Sequence, residues 1–241
     1  MLRLRLMAAA LVAAIVLSCG AARAGDTASI AILGFSPDGG IFAFEEYGIQ
    51  DGSGFPYANR YYIDTQSDSF LPGTPVRVRI DDEQATLAAA RQEARQEGQE
   101  VIADSELDPG FTAGWNAVSE LSADPHRLRV NPRPVFPPID EDVEMRLEER
   151  HLEPPQGCEA MGEMKGFTLL RIATQPGGET VTVHEDQSIP SSRGCPLGYR
   201  LTGIQTFYPE AGTPVFATII AIRRFGFEGP DHRFIAVTGP L

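Results

Sequence analysis

Residues 47–62 concentrate the side chains of this sequence that are best suited to binding. Aromatic rings offer rigid contact surface, and a carboxylate and a guanidinium beside them add charge and hydrogen bonds. We therefore predict that this segment contacts a protein or a small-molecule ligand. The alternative is that its rings belong to the core of a β-rich fold. The predicted binding residues are Tyr47, Asp51, Phe55, Tyr57, Arg60 and Tyr62, with Tyr61 beside them.

The carboxylates near this segment do not form a catalytic or metal-binding pattern. Glu45 and Glu46 are adjacent, and neighbouring residues of a strand point to opposite faces, so they cannot act as a pair. We expect one to be exposed and the other to pair with an arginine such as Arg60 or Arg77. The turn "DGSG" (51–54) lacks the length and the terminal glutamate of a calcium loop. The sequence therefore predicts no metal site.

The four histidines also lack a spacing that indicates chemistry. His126, His151, His184 and His232 form no metal-ligand pair, and "HEDQS" is not a zinc-protease motif. No nucleophile elbow, phosphate loop or dinucleotide fingerprint occurs. We predict no catalytic residue and no cofactor. The alternative enzyme is a secreted hydrolase with a dispersed active site, because a catalytic triad can assemble from distant positions.

The first 24 residues predict export. Arg3 and Arg5 precede an apolar stretch, and Ala22-Arg23-Ala24 places small residues before a cut at Gly25. We expect a mature chain of residues 25–241 that is periplasmic or secreted. The alternative is lipidation at Cys19, within "VLSCG". No later apolar run approaches the length of about 20 residues that a membrane-spanning helix needs.

Charge and cysteine content narrow the environment and the partners. The net charge is −13, and removal of a segment with three arginines and no acid makes it −16. An acidic chain of this kind is a poor partner for nucleic acid or for an anionic membrane surface. Cys158 and Cys195 are the two cysteines left after Cys19. In an oxidising compartment they predict one disulfide.

Hydrophobic periodicity predicts a mainly β chain with one helix. Short Gly-, Pro- and Asp-rich turns between the strands favour antiparallel pairing. The helix is expected at about 83–97, capped by Asp81 or Asp82, and 101–121 is ambiguous. We predict one β-rich domain, 25–241, with a Pro-rich seam at 131–140. The predicted strands are 28–33, 41–47, 58–63, 76–80, 126–130, 143–149, 167–172, 180–185, 199–207, 215–223 and 233–237.

Two phrases of the sequence recur near its ends. "FSPDGGIFAF" (35–44) and "GPDHRFIAV" (229–237) align on their Pro-Asp pairs, and "GTPV" occurs at 73 and again at 212. Each long phrase predicts a β-hairpin. We expect the strands at 41–44 and 234–237 to lie in the same or adjacent sheets, so that the two ends of the chain pack together.

These phrases resemble two known families. Residues 28–63, with "FSPDGG" and "RYYIDTQSD", resemble one blade of the TolB-type (WD40-like) β-propeller. The whole mature chain looks like a bacterial family of predicted secreted proteins classed as a domain of unknown function (2259). The first resemblance implies propeller-like sheets, and the second implies export but no activity. The expected fold is accordingly an antiparallel β-sandwich or a set of propeller-like sheets.

Overall fold

The computed structural model describes residues 25–226 and 229–241. The predicted signal segment, with Cys19, lies outside the described residues. Within the described part of the chain, no helix has the length and apolar character needed to cross a membrane.

The N-terminal sheet is an antiparallel meander, as its short turns predict. Strands β1, β2 and β3 are neighbours in that order, and β4 and β5 both pair with β3. The first turn is fixed by Asp38, whose Oδ1 accepts hydrogen bonds from Ser36 Oγ and Gly40 N. The strands are β1 (Ser29–Phe35), β2 (Ile41–Ile49), β3 (Pro56–Asp64), β4 (Ser69–Phe70) and β5 (Val76–Arg79).

Two further antiparallel sheets follow. The middle sheet has the order β10-β9-β8-β7, and the C-terminal sheet has the order β13-β12-β11-β6. Short 3-10 turns lie at Asp104–Glu106 and Ser191–Arg193. The strands are β6 (Phe111–Trp115), β7 (Arg127–Val130), β8 (Val143–His151), β9 (Lys165–Ile172), β10 (Val181–Glu185), β11 (Pro196–Phe207), β12 (Val215–Arg224) and β13 (Asp231–Pro240).

The C-terminal sheet lies between the other two sheets. In β12, Val215–Ile222 are all buried, which is typical of a strand covered on both faces. Ala217 and Ile219 pack with the N-terminal sheet, whereas Phe216 and Ile220 pack with the middle sheet. The molecule therefore has three stacked β-layers.

Among the described residues there is one α-helix, α1 (Leu87–Gly98), and it covers the outer face of the N-terminal sheet. Thr86 caps it, since its Oγ1 accepts from Ala89 N at 3.1 Å. Ala90, Ala94 and Gly98 are buried, and their spacing of four places them on one face. The helix begins at Leu87 rather than near 83, because Asp82 accepts instead from Gln84 N.

Gly98 permits the close approach of α1 to β3. A Cβ at this position would clash with the phenol oxygen of Tyr62 and lie 2.6 Å from Arg60 Nη1. Both side chains are buried, so neither has room to move away.

We expect Gly98→Ala to lower the free energy of unfolding by about 1–3 kcal/mol through overpacking. The higher helix propensity of alanine, about 1 kcal/mol, does not offset this cost. Urea denaturation is the measurement, and Gln96→Ala on the exposed side of α1 is the control. A stabilised Gly98→Ala protein would contradict the packing argument.

Both glutamates of β2 are buried, so the expectation that one is exposed is wrong. Glu45 is 4% exposed and Glu46 is 2% exposed. They do point to opposite faces: Glu45 pairs with Arg91 of α1, and Glu46 accepts from Phe234 N of β13. The sheet is covered on both faces, and each carboxylate therefore needs its own partners.

The two ends of the chain meet, as the recurring phrases predict. Ala28 N donates to His232 O at 3.1 Å, and Asp26 forms an ion pair with Arg233. The resemblance to a TolB-type blade finds no support, because the described residues form three stacked sheets and no closed propeller. One face of the N-terminal sheet is covered by α1 and the other by the C-terminal sheet.

Candidate functional site

The residues of the predicted binding site divide between the two faces of the N-terminal sheet. Along β3, Tyr57 points toward the C-terminal sheet, and Arg60 and Tyr62 point toward α1. All three are largely buried, with exposed fractions of 6%, 1% and 0%. Alternation along the strand separates these side chains, because residues an odd number of positions apart face opposite sides.

The α1 face is an ion-pair network that attaches the helix to the sheet. Arg60 lies 2.8 Å from Asp104 and 3.8 Å from Glu45. Arg91 pairs with Glu45 at 2.6 Å and stacks at 3.7 Å on the ring of Tyr47. Tyr47 and Arg60 thus hold structural contacts and offer little surface to a ligand.

The opposite face carries a second group of charged and aromatic side chains. Tyr57 OH donates to Asp26 Oδ1 at 3.3 Å, and Arg233 Nη2 donates to Asp26 Oδ2 at 2.5 Å. The Arg233 guanidinium also lies 4.8 Å from the Tyr57 ring centroid. Burial raises the pKa of Tyr57 well above its usual value, so Tyr57 stays a hydrogen-bond donor. Burial also raises the pKa of Asp26, although Arg233 opposes the shift.

Tyr57 and Arg233 belong to the lining of two adjoining cavities, which we call the arginine cleft. The larger cavity, of about 460 Å³, is lined by Tyr57, Arg79 and Asp81 among others. The smaller one, of about 130 Å³, is lined by Glu46 and Arg224 among others. The wall that the two cavities share consists of Asn59, Arg77 and Arg233.

Four arginines and two carboxylates line the arginine cleft, in a chain with a negative net charge. Arg79 pairs with Asp81 at 2.7 Å. Arg77 is exposed and lies 5.7 Å from the Tyr61 ring centroid. Among the described residues, no carboxylate comes within 4.0 Å of its guanidinium. Arg77 is therefore the cation of the cleft that is best placed to meet a ligand.

The deeper part of the cleft holds a preorganised carboxylate. Glu46 Oε1 accepts from Asn59 Nδ2 at 3.0 Å and from Tyr61 OH at 2.8 Å. Its Oε2 accepts from Phe234 N at 2.8 Å. Burial lowers the pKa of the neighbouring Arg224, and the charge of Arg233 adds to that shift. An anionic group fits the outer, Arg77 side better than this inner end.

Two other predicted residues lie beside the arginine cleft. Asp51 lines a neighbouring cavity of about 580 Å³ together with Asp26 and Gly54. Gln50 lines both that cavity and the larger cavity of the cleft. Phe55 is half-buried, and its backbone N–H donates to Ser53 Oγ at 3.3 Å.

Sequence reasoning missed most of the cleft. Arg77 and Arg79 alternate with Val76 and Val78, so the pattern did place both arginines on one face of a strand. Nothing local in the sequence indicates that Arg233, more than 150 residues away, shares their cavity. The predicted pairing of the chain ends was the only signal that could have brought them together.

A separate charged cluster ties the three sheets together through Asp68. Its Oδ1 accepts from Thr238 N of β13 at 2.8 Å, and its Oδ2 lies 3.7 Å from His184 Nδ1 of β10. His184 Nε2 lies 3.0 Å from Asp186 Oδ1, and Asp186 also pairs with Arg193 at 2.5 Å. We call the cluster of Asp68, His184, Asp186 and Arg193 the sheet junction. Through it, the turn before β4 contacts both other sheets.

His184 is a charged group of the sheet junction and not a free base. Burial on its own would lower the pKa of His184, but hydrogen bonds to Asp186 and Asp68 outweigh it and raise the pKa to about 9. Burial would raise the pKa of Asp186, yet hydrogen bonds from His184 and Arg193 lower it to about 2. The imidazolium is thus the form present near neutral pH.

We expect the stability that His184 contributes to depend on pH. Its folded pKa is raised, so the contribution is fully present below the unfolded value of 6.5 and is lost as pH rises through about 9. The difference in unfolding free energy between wild type and His184→Gln should be about 1–3 kcal/mol at the acidic end. Urea denaturation across this range measures it. His151→Gln, at an exposed histidine, is the control.

The comparison with known families decides the affiliation of the chain. Residues 43–239 match the family described as "Predicted secreted protein (DUF2259)". The chain belongs to the DUF2259 family. No curated protein and no solved structure matches it.

Two features of this DUF2259 chain bear on its chemistry. The predicted Cys158–Cys195 disulfide is present, with an S–S distance of 2.03 Å, and its two cysteines lie on either side of the β9–β10 hairpin in the sequence. Such a bond is consistent with an oxidising, extracytoplasmic location, in keeping with the family description. Among the described residues of this DUF2259 member, no group of three or more His, Cys, Asp or Glu side chains is placed to hold a metal ion.

Proposed function

We propose that this chain is an exported, non-catalytic protein that binds an anionic ligand in the arginine cleft. In this proposal residues 1–24 are removed, and residues 25–241 act as one β-rich domain in the periplasm or outside the cell. The ligand is a small molecule or a protein segment that carries a carboxylate, phosphate or sulfate group. No catalytic step is assigned to the cleft.

The observation that carries this proposal is the shared wall of Asn59, Arg77 and Arg233 between two cavities. A guanidinium binds a carboxylate or a phosphate through two parallel hydrogen bonds. Arg77 has an exposed guanidinium on a short edge strand, and Arg233 is held in place by Asp26. Arg77 thus offers an adaptable cationic group to the ligand, and Arg233, which is ion-paired with Asp26, forms a fixed part of the wall beside it.

The predicted aromatic segment contributes part of this site. The Tyr57 ring lies 4.8 Å from the Arg233 guanidinium, and Gln50 lines the larger cavity. Asp51 lines the adjoining cavity, where an extended ligand would continue. Of the binding residues predicted in 47–62, we therefore propose Tyr57 and Asp51 as part of the site. The arginines of the cleft complete it.

Isothermal titration calorimetry tests the proposal with a fixed set of probes: inorganic phosphate, sulfate, citrate, glucuronate and, as a cationic control, choline. We expect at least one anion to bind saturably and choline to give no heat of binding. Arg77→Gln should weaken the affinity by about tenfold or more, because it removes a charge-assisted hydrogen bond.

Arg129→Gln is the matched control. Arg129 is also a strand arginine, and it pairs with Asp142 at 2.5 Å on the middle sheet, far along the chain from the cleft residues. It should leave the affinity unchanged. Equal affinities for wild type and Arg77→Gln would contradict the assignment of the cleft, as would an absence of saturable binding by every anion.

A further inference from the structure

The loop between β7 and β8 exposes an unusual amount of apolar surface. Phe136 is 95% exposed, Ile139 is 67% exposed and Val135 is 38% exposed. Single exposed apolar residues are ordinary in proteins. Three within five positions of one loop form a patch, and exposed apolar patches often mark interaction sites.

This loop is held rigid although its tip is exposed. Arg133 forms a two-pronged ion pair with Asp140, with both hydrogen bonds at 2.7 Å, and this pair closes the loop at its base. The Arg133 guanidinium also stacks at 4.0 Å on the ring of Tyr208. Within the loop, Val135 N donates to Arg133 O at 2.8 Å, and Asn131 Nδ2 donates to Val135 O at 3.2 Å.

The loop is also fixed to the C-terminal sheet. Thr206 Oγ1 of β11 donates to Pro132 O at 2.6 Å, and the four prolines of residues 131–140 restrict the backbone further. Phe111 of β6, which pairs with Thr206, is itself 39% exposed. A preordered loop loses little conformational entropy on binding.

Charge indicates the kind of partner. Asp140 is neutralised by Arg133 and Asp142 by Arg129, whereas Glu141 is exposed beside the tip. The chain as a whole is strongly acidic, which disfavours an anionic membrane surface and a second copy of the same chain. A protein with an apolar pocket and a basic rim is complementary to both features.

We infer that residues 131–140 form a docking loop that inserts Phe136 and Ile139 into an apolar, basic-rimmed pocket of a protein partner. Phe136 is the anchor, because aromatic side chains that fill a pocket dominate interface energies. Glu141 faces the rim. The loop uses none of the residues of the arginine cleft, so this role is independent of ligand binding there.

Photo-crosslinking in cells of the native host tests the inference. The full chain carries benzoylphenylalanine at position 136 or, as the matched control, at position 121, where Leu121 is 93% exposed on another loop. We expect one discrete adduct with a different protein at position 136 and none at position 121. Ile139→Asp, at an exposed position, should reduce the adduct without altering the unfolding transition.

Titration of the purified, identified partner completes the test. Phe136→Ser should weaken binding by about thirtyfold or more, as expected for an interface anchor, and binding should weaken as salt is raised. The inference is overturned if position 136 gives no adduct, an adduct with lipid or with a second copy, or the same adduct as position 121. It is equally overturned if Ile139→Asp leaves the yield unchanged or Phe136→Ser binds like wild type.

Discussion

Asp186→Ala is expected to lower the free energy of unfolding by about 3–5 kcal/mol, the cost of leaving a buried charge without its partner. The Asp186 side chain is 3% exposed and pairs with Arg193, whose side chain is 8% exposed. Its carboxylate also accepts from Phe167 N at 2.9 Å and lies 3.0 Å from His184 Nε2. Alanine therefore leaves the Arg193 guanidinium without its carboxylate, and it removes the acceptor of Phe167 N and the carboxylate beside His184 Nε2.

Urea denaturation at neutral pH measures this loss. Glu185→Ala is the control, since Glu185 forms a solvent-exposed pair with Arg150 at 2.7 Å, and such pairs contribute about 0–1 kcal/mol. A second variant, Asp186→Ala with Arg193→Met, should recover part of the stability because it removes the unpaired charge. A double variant that is no more stable than Asp186→Ala would refute the charge explanation.

Replacing both cysteines by serine is expected to cost about 3–4 kcal/mol of unfolding free energy. The bond joins residues 37 positions apart, so its loss lets a long loop of the unfolded chain move freely. Cys158 is also buried against Met164 and Ile189. The small apolar cluster formed by these three residues therefore loses the disulfide that crosses it.

Urea denaturation of the double variant, of reduced wild-type protein and of oxidised wild-type protein measures this effect. Both should unfold at similar urea concentrations, below that of the oxidised protein. Equal stability of the oxidised and reduced proteins would show that the hairpin is held by its ladder and its apolar contacts alone.

The strands were predictable because their signals are local. Val143–His151 alternates buried and exposed residues at its centre, as the sequence pattern indicates. Strand β6 was missed because "FTAGW" (111–115) has mostly small and polar residues, and its place is set by pairing with β11. The helix was predicted about four residues too long at its start, because Asp81 and Asp82 looked like caps while Thr86 is the cap.

The burial of charged side chains was not predictable in the same way. Whether Glu45 and Glu46 are exposed depends on what covers each face of β2. The cover is α1 on one side and the C-terminal sheet on the other, and no local pattern contains that information. Arg60 is buried because α1 covers its face of the sheet. Its partners Asp104 and Glu45 come from separate parts of the chain.

The pairing of Asp26 with Arg233 joins two residues that are synthesised at different times. A polypeptide is synthesised from its N-terminus, so Asp26 is present long before the arginine that neutralises it. Until then Asp26 lacks its arginine, and Glu46 keeps its contacts with Asn59 and Tyr61 but lacks the hydrogen bond from Phe234 N. The strands of the N-terminal sheet can pair early, but the inner face of this sheet is covered only when β12 and β13 have been made. A chain that stops before residue 231 would therefore leave Asp26 without its cationic partner.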